Sequence, residues 1–230
     1  MSIKENLNFI YQQISQTAID SGRSPQEIKL IAVSKTKPID MIKEASSAKQ
    51  IAFGENYVQE ALDKIRIMRK FKEIEWHFLG HLQKNKVKFC PGNFQWIHTV
   101  DSLELSQKIE SRCALDNKIM NVLIQVNLSN ESSKSGVREL DDVFRIAENI
   151  LLCNFLKLRG LMTIPKPGLG EIKTRSVFEK IRKWKDRLEK EFNTSEVTEL
   201  SMGMTADYKW AIREGATMIR VGSAIFGARD

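Results

Sequence analysis

The residues of this chain best suited to chemistry are cations, hydroxyls and glycines placed where apolar runs end. Lys35 follows the run Leu30 to Val33, with Ser34 before it and Lys37 two residues on. A lysine in a partly desolvated mouth beside a second cation is protonated less readily, and a neutral amine condenses with a carbonyl compound to a Schiff base. On position alone the same lysine reads better as a solvated loop charge. Further along, Leu200-Ser201-Met202-Gly203-Met204 and Arg220-Val221-Gly222-Ser223-Ala224 each close an apolar run with small residues. Glycine lets the backbone approach an anion, and hydroxyls and N–H groups can hold it, so this pair of loops is suited to a phosphate. Turns and tight strand packing are the competing explanation for Gly203 and Gly222. Arg220 alternates with Ile219 and Val221. If those two face outward, the guanidinium faces inward and needs an acceptor there.

Such residues must be held by something, and eight short β-rich runs supply the frame. They are Ile28 to Ser34, Gln50 to Gly54, Trp76 to Gly80, Trp96 to Val100, Asn121 to Asn127, Leu158 to Ile164, Thr198 to Met204 and Met218 to Gly222. Several are nearly all apolar, as strands covered on both faces are. Helical spacing lies between them, for instance in Asn56 to Phe71, where Val58, Leu62, Ile65 and Met68 form a stripe and Glu60, Asp63, Lys64 and Arg66 fall elsewhere. The pattern also predicts helices at Ser102 to Leu115, Val137 to Leu152, Ile172 to Phe192 and Ala206 to Glu214, and one leading helix at Ile3 to Ser21. Eight strand–helix units in 230 residues fit a closed (β/α)8 barrel, which typically takes about 250. An open doubly wound sheet would want a glycine-rich turn after the first strand, where Ser34-Lys35-Thr36-Lys37-Pro38 stands instead. The expectation is one α/β barrel domain over residues 1–230 with an extra N-terminal helix. In such barrels the C-terminal strand ends carry the working residues, which ranks Lys35 first.

Composition narrows the function classes. Hydrophobic residues at 42% and charged residues at 28% exclude a disordered or collagen-like chain, and no apolar run reaches the ~20 residues of a membrane span. A net charge of +7 favours anionic partners, whether nucleic acid, membrane surface or phosphorylated small molecules. Cys90, Cys113 and Cys153 form no CxxC pair and suggest neither disulfides nor zinc. No hydrophobic leader is recognisable, so a cytoplasmic protein is expected. His77 and His81 are four apart, but Phe78 stands where a zinc-helix motif needs glutamate, and no metal site is expected. His81 reads as structural or as a pocket edge. Asn56, three before Gln59, either caps a helix or reaches a ligand from the end of the second strand. Ser132-Ser133-Lys134-Ser135-Gly136 lacks the order of a phosphate loop. Basic runs at Lys64 to Lys72, Lys84 to Lys88 and Arg182 to Lys190 suit a nucleic-acid backbone but read better as solvated helix faces.

Several blocks, taken in order, resemble one family. They are Ala32-Val33-Ser34-Lys35-Thr36-Lys37-Pro38, Phe53-Gly54-Glu55-Asn56-Tyr57-Val58-Gln59-Glu60, and the run Trp76 to Lys86. Gly160-Leu161-Met162-Thr163-Ile164-Pro165, the Ser201–Met204 block and Ile219 to Arg229 follow. Together they are similar to the pyridoxal phosphate homeostasis proteins, also called the YggS or PROSC family. The resemblance implies a barrel like the N-terminal domain of alanine racemase, with pyridoxal 5′-phosphate (PLP) held as a Schiff base on Lys35. It implies cofactor contacts from Asn56, His81, Met162, Ser201, Gly203, Gly222 and Ser223, the phosphate lying against Ser201, Gly203, Gly222 and Ser223. Arg220 would face the pyridine nitrogen. An arginine keeps its proton, so it donates to an unprotonated nitrogen and leaves the ring a poor electron sink. Thr205, Ala206, Lys209 and Ser223 depart from the family pattern. Thr205 and Ser223 keep a hydroxyl, and Ala206 and Lys209 are expected to alter only the surface of the seventh helix.

The resemblance implies a non-catalytic PLP binder serving intracellular vitamin B6 homeostasis and so amino-acid metabolism, with PLP-dependent apo-enzymes as recipients. The alternative with the same chemistry is an amino-acid racemase or decarboxylase. Such enzymes add a β-domain and complete their site across a dimer, whereas only Asp230 follows the last block here, so a monomer is expected. A basic nucleic-acid binder is the third and weakest reading.

Overall fold

Pleat alternation decides what lies inside this protein and what lies outside. In β1 (Lys29–Val33), Leu30 and Ala32 pack under the helices while Ile31 and Val33 turn to the opposite face. Seven further strands follow the same rule: β2 (Ala52–Glu55), β3 (Glu75–Phe78), β4 (Trp96–Val100), β5 (Met120–Val126), β6 (Leu156–Thr163), β7 (Glu199–Ser201) and β8 (Met218–Val221). The computed structural model, which describes residues 2–128 and 135–228, joins them in sequence order into a closed barrel. Every neighbouring pair is parallel. The seam is β1 against β8, in the register Lys29↔Met218 through Ala32↔Val221.

Among the described residues, eight helices cover the barrel: α1 (Ile3–Asp20), α2 (Ile39–Ser47), α3 (Val58–Ile67), α4 (Leu103–Leu115), α5 (Leu140–Leu151), α6 (Glu171–Phe192), α7 (Tyr208–Arg213) and α8 (Ser223–Phe226). All eight strand runs and six helices read from the sequence are present, while α2 and α8 are additional. The β3–β4 connection has no α-helix and crosses by 3₁₀ turns at Lys84–Phe89. No helix among the described residues is long and apolar enough to cross a membrane. Ser132, Ser133 and Lys134, read from the sequence as part of a polar loop, lie outside the described residues, as does Arg229.

Inside the barrel Ile31, Ala52, Leu79, Leu123, Met162 and Met218 form an apolar plug. The larger core lies between strands and helices, where Ile219 and Val221 pack, so Arg220 does point inward. Both α1 and α7 flank the seam. A capping box starts α1, with Ser2 Oγ accepting from Glu5 N and the Glu5 carboxylate accepting from Ser2 N. Its stripe of Leu7, Ile10, Ile14 and Ala18 is buried, and it packs on α2, α7 and α8, spanning the first and last units. Asn6 Nδ2 donates to Ile225 O at 2.9 Å, across the same seam. Truncating this stripe with Ile10→Ala should therefore destabilise the whole barrel by about 2–5 kcal/mol in urea unfolding. A loss below about 1 kcal/mol would mean the barrel closes without α1.

Candidate functional site

Lys35 sits on a loop clamped on both sides. Ser34, fully buried, donates from its backbone N–H to Gly54 O at 2.9 Å and from Oγ to Glu55 Oε1 at 2.6 Å. Lys64 Nζ reaches the same spot from α3 and donates to Ser34 O, Glu55 Oε1 and Glu60 Oε1 at 2.7, 2.9 and 2.5 Å. Thr36, in the left-handed region at φ 61°, donates its N–H to Glu60 Oε1 at 2.6 Å. Lysine 64 is thus no solvated charge, as its place off the apolar stripe suggested: only 6% of it is exposed. It follows Val58 and Ala61 on the buried side of α3, and its stem carries the ammonium to a carbonyl and two carboxylates. Burial pushes the Glu55 carboxyl up, and Lys64 opposes that.

At the C-terminal mouth lies a cavity of about 310 Å³, to which Lys35, Lys37, Asn56, Arg220, Gly222 and Ser223 contribute, with Val33, Leu79 and Ile164 as apolar wall. Lys37 Nζ donates to Ala228 O at 2.6 Å, drawing residues after α8 toward the mouth. A second cavity of about 240 Å³ adjoins it along Asn56, Leu79 and Ile164 and takes in His81 and Gln125. His81 is exposed at this rim, with Nδ1 3.0 Å from Ser135 Oγ and 3.7 Å from Asp101 Oδ2. His77 points away from it, into the barrel. Tyr57 stands at the N-cap of α3, so Asn56 is not the cap and faces both cavities.

Three of the residues singled out from the sequence do not line either cavity. Met162 is fully buried in the apolar plug. Gly203 packs against α7: at φ 93°, an added Cβ would come within 2.6 Å of Ala211 Cβ and 2.9 Å of Tyr208 Cα. Ser201 is buried inside the barrel and engaged with Arg220. In their place the β7 loop presents Met204, Thr205 and Ala206 to the cavity. Ala206 is therefore not merely a helix-surface position. The loop turns over the mouth because Asp207 Oδ1 accepts the Met204 N–H at 2.6 Å. Thr205 Oγ1 lies 3.3 Å from Ser223 Oγ, so loops after β7 and β8 bring two hydroxyls together. The signal for Thr205 was present in the sequence, as a retained hydroxyl directly after the small-residue run.

Arg220 is 4% exposed and donates from Nη1 to Ser201 Oγ at 2.7 Å and from Nη2 to Thr163 O at 2.9 Å. Burial pushes its pKa down to about 10, with Asp207 opposing, which leaves it charged at neutral pH. From Ser201 a chain of polar contacts runs down the barrel. Ser201 Oγ is 2.8 Å from His98 Nδ1, and His98 Nε2 is 2.8 Å from His77 Nδ1. His77 Nε2 lies 2.7 Å from Glu75 Oε1, a close contact that is poorly aligned as a hydrogen bond. Lys29 Nζ donates to the same Glu75 oxygen at 2.8 Å. Burial pushes both imidazoles down, His98 further than His77. Burial alone would raise the Glu75 carboxyl, but His77 and Lys29 outweigh it and hold the pKa at about 2.

The fold and this mouth define a class, the alanine racemase barrel, and the model of the family described as alanine racemase, N-terminal domain, matches residues 7–230. The chain is 44% identical over 232 residues to the pyridoxal phosphate homeostasis protein of Vibrio alginolyticus, covering 100% of this chain and 98% of that one. It is 42% identical to the protein of that name from Escherichia coli K12, over 99% of this chain and 97% of the other. It is also similar to the structure of PipY from Synechococcus elongatus PCC7942 with PLP bound, at 34% identity and a TM-score of 0.88, covering 98% of this chain and 100% of that one. Within the racemase-type barrels, the chain belongs to the pyridoxal phosphate homeostasis protein family.

Two outcomes follow from the buried charges. Lys64→Ala, by leaving Glu55 unpaired, should cost about 3–5 kcal/mol in urea unfolding, and a cost near zero would mean the clamp is not formed. A carboxyl held below its ordinary value stabilises the fold above that value, and the contribution is lost as pH falls through the lowered one. The stability gap between wild type and Glu75→Gln should therefore be present above pH 4.5 and shrink as pH falls to about 2. A gap independent of pH over that window would contradict the pairing of Glu75.

Proposed function

We propose that this chain binds PLP reversibly and covalently through Lys35 and serves its homeostasis without turning over a substrate. The observation that carries the reading is one cavity lined by an amine, a guanidinium and two facing hydroxyls. The donor set suits the ligand. Bound, PLP brings an aldehyde carbon that an amine can capture, an electron-withdrawing pyridine ring and a dianionic phosphate. Lys35 would take the aldehyde carbon through its Nζ, with loss of water. Thr205, Ser223 and the backbone at Gly222 would hold the phosphate, since Gly222 leaves room where a Cβ would approach Val33 O to 3.2 Å. Val33, Leu79 and Ile164 offer apolar surface to a ring, and Arg220, which also lines the cavity, would donate to its nitrogen. Asn56 is placed to hold a polar ring substituent, and His81 stands at the outer rim.

The non-catalytic part of the reading is supported by what faces the cavity. Racemisation at an amino-acid α-carbon needs an acid and a base on opposite faces. Among the described residues lining the cavity, Lys35 and Lys37 carry the amines, and no carboxylate, imidazole or phenol stands beside them. Lys37 is engaged with Ala228 O. Tyr11 bonds to Gln50, Tyr208 is buried against the core, and Tyr57 is 57% exposed. On this reading the protein works inside the cell as a monomer and passes the cofactor to apo-enzymes.

Purified protein mixed with PLP should show an absorbance band that borohydride removes, with the label mapped to Lys35. Lys35→Ala should lose the label and keep its far-UV spectrum. Absence of any labelled lysine would remove the PLP reading, and racemisation of alanine or serine well above that of free PLP would remove the non-catalytic one.

A further inference from the structure

The polar chain under Arg220 has a direction that the chemistry of its members dictates. Glu75 at one end is ionised near neutrality and accepts only, so the His77 nitrogen facing it, Nε2, carries the hydrogen. His77 is wholly buried and takes no second proton there, so its Nδ1 is a lone pair that accepts. The ring nitrogen 2.8 Å away, His98 Nε2, must then be the donor, which leaves His98 Nδ1 as an acceptor in turn. Its partner at 2.8 Å is Ser201 Oγ, whose single hydrogen goes to it. What remains on Ser201 is lone pairs, and those face Arg220 Nη1 at 2.7 Å, a group that can only donate. Five groups on four strands thus agree in polarity without a conflict.

We propose that His77, His98 and Ser201 form a one-way hydrogen-bonded chain, its direction set by the Glu75 carboxylate in close contact with His77 Nε2, that orients the Arg220 guanidinium and delivers to it the counter-charge of that carboxylate at the opposite mouth of the barrel. No carboxylate bonds Arg220 directly among its hydrogen bonds given above: Thr163 O and Ser201 Oγ are both neutral, and Asp207 acts only through space. A buried cation in that position is costly unless its field is answered. Lys29, over the Trp96 ring at 5.3 Å, opposes the charge of Glu75 at the far end and, with Arg220, is a cation that acts on the histidines. Ser201 and His98 are on this account positioning residues for whatever Arg220 touches, and the hydroxyl of Ser201 is directed at Arg220 instead of a phosphate. Trp96, stacked on His77 at 5.6 Å and 9°, fixes the plane of the first ring.

The chain is testable without any ligand, because the tautomers are its signature. In ¹⁵N-labelled, cofactor-free protein at neutral pH, long-range ¹H–¹⁵N spectra should show both rings neutral with hydrogen on Nε2. Ser201→Ala should shift the Nδ1 resonance of His98, and Glu75→Gln those of His77. A hydrogen on His98 Nδ1, or a His77 imidazolium, would reverse the direction and overturn the proposal. The functional arm rests on the PLP reading and uses pyridoxine 5′-phosphate, which has no aldehyde and so does not depend on Lys35. Ser201→Ala and His98→Phe should each weaken its binding about tenfold, the size of one charge-assisted hydrogen bond. Ser201→Thr, which keeps the hydroxyl, should restore it. Equal affinity in wild type and Ser201→Ala would sink the positioning role. Failure of the PLP reading would show instead as no binding by wild type, with the tautomers still deciding the chain.

Discussion

A guanidinium that cannot shed its proton, enclosed in a barrel of eight strands, is the constraint around which the interior is arranged. Taking such a group out of water costs several kcal/mol unless every N–H finds an oxygen and the charge is answered. Apolar side chains fill most of a barrel of this size, and here they do so at Ile31, Leu123, Met162 and Met218. Around Arg220 the filling is polar instead: Ser201, the Thr163 carbonyl and the two imidazoles beneath.

The placement of Arg220 depends on closure. Residues 29–32 pair with 218–221 across the seam, and this register sets Arg220 beside Ile31 and two residues of pleat below the Lys35 loop. A slip of one residue would turn the guanidinium into the helical layer and Ile219 into the barrel. The seam is correspondingly reinforced. The stripe of α1 covers it, Asn6 ties α1 to α8, and Arg23 Nη1 donates to Ile212 O and Ala216 O at 2.9 Å in the last unit.

What was legible in the sequence was what repeats or alternates. The eight apolar runs, the leading helix and the inward turn of Arg220 all follow from periods of 2 or 3.6 within a few residues. Lys35, Asn56, Gly222 and Ser223 could be placed at one mouth because strand ends in a barrel share a face. What escaped was contact between distant residues. Lys64 looked polar because helical periodicity records the type of a side chain, not where a long stem leads. The partnership of Glu75, His77, His98 and Ser201 spans more than a hundred residues and exists only once the strands close. The short α2 buries only Ile42 and Ala45 and is too brief to show a stripe, and Gly203 looked like an anion site although the neighbour it makes room for is a helix.

The clamp on the Lys35 loop has a kinetic consequence. With Ser34 and Thr36 both pinned and Thr36 already in its left-handed conformation, the amine is presented without any rearrangement of the chain. The ordering entropy of that loop was spent during folding and is not charged again at each encounter. If Lys35 takes up a carbonyl compound as proposed, the rate would then be set by making and breaking a carbon–nitrogen bond with water. Exchange chemistry, and not loop motion, would be the clock of the site.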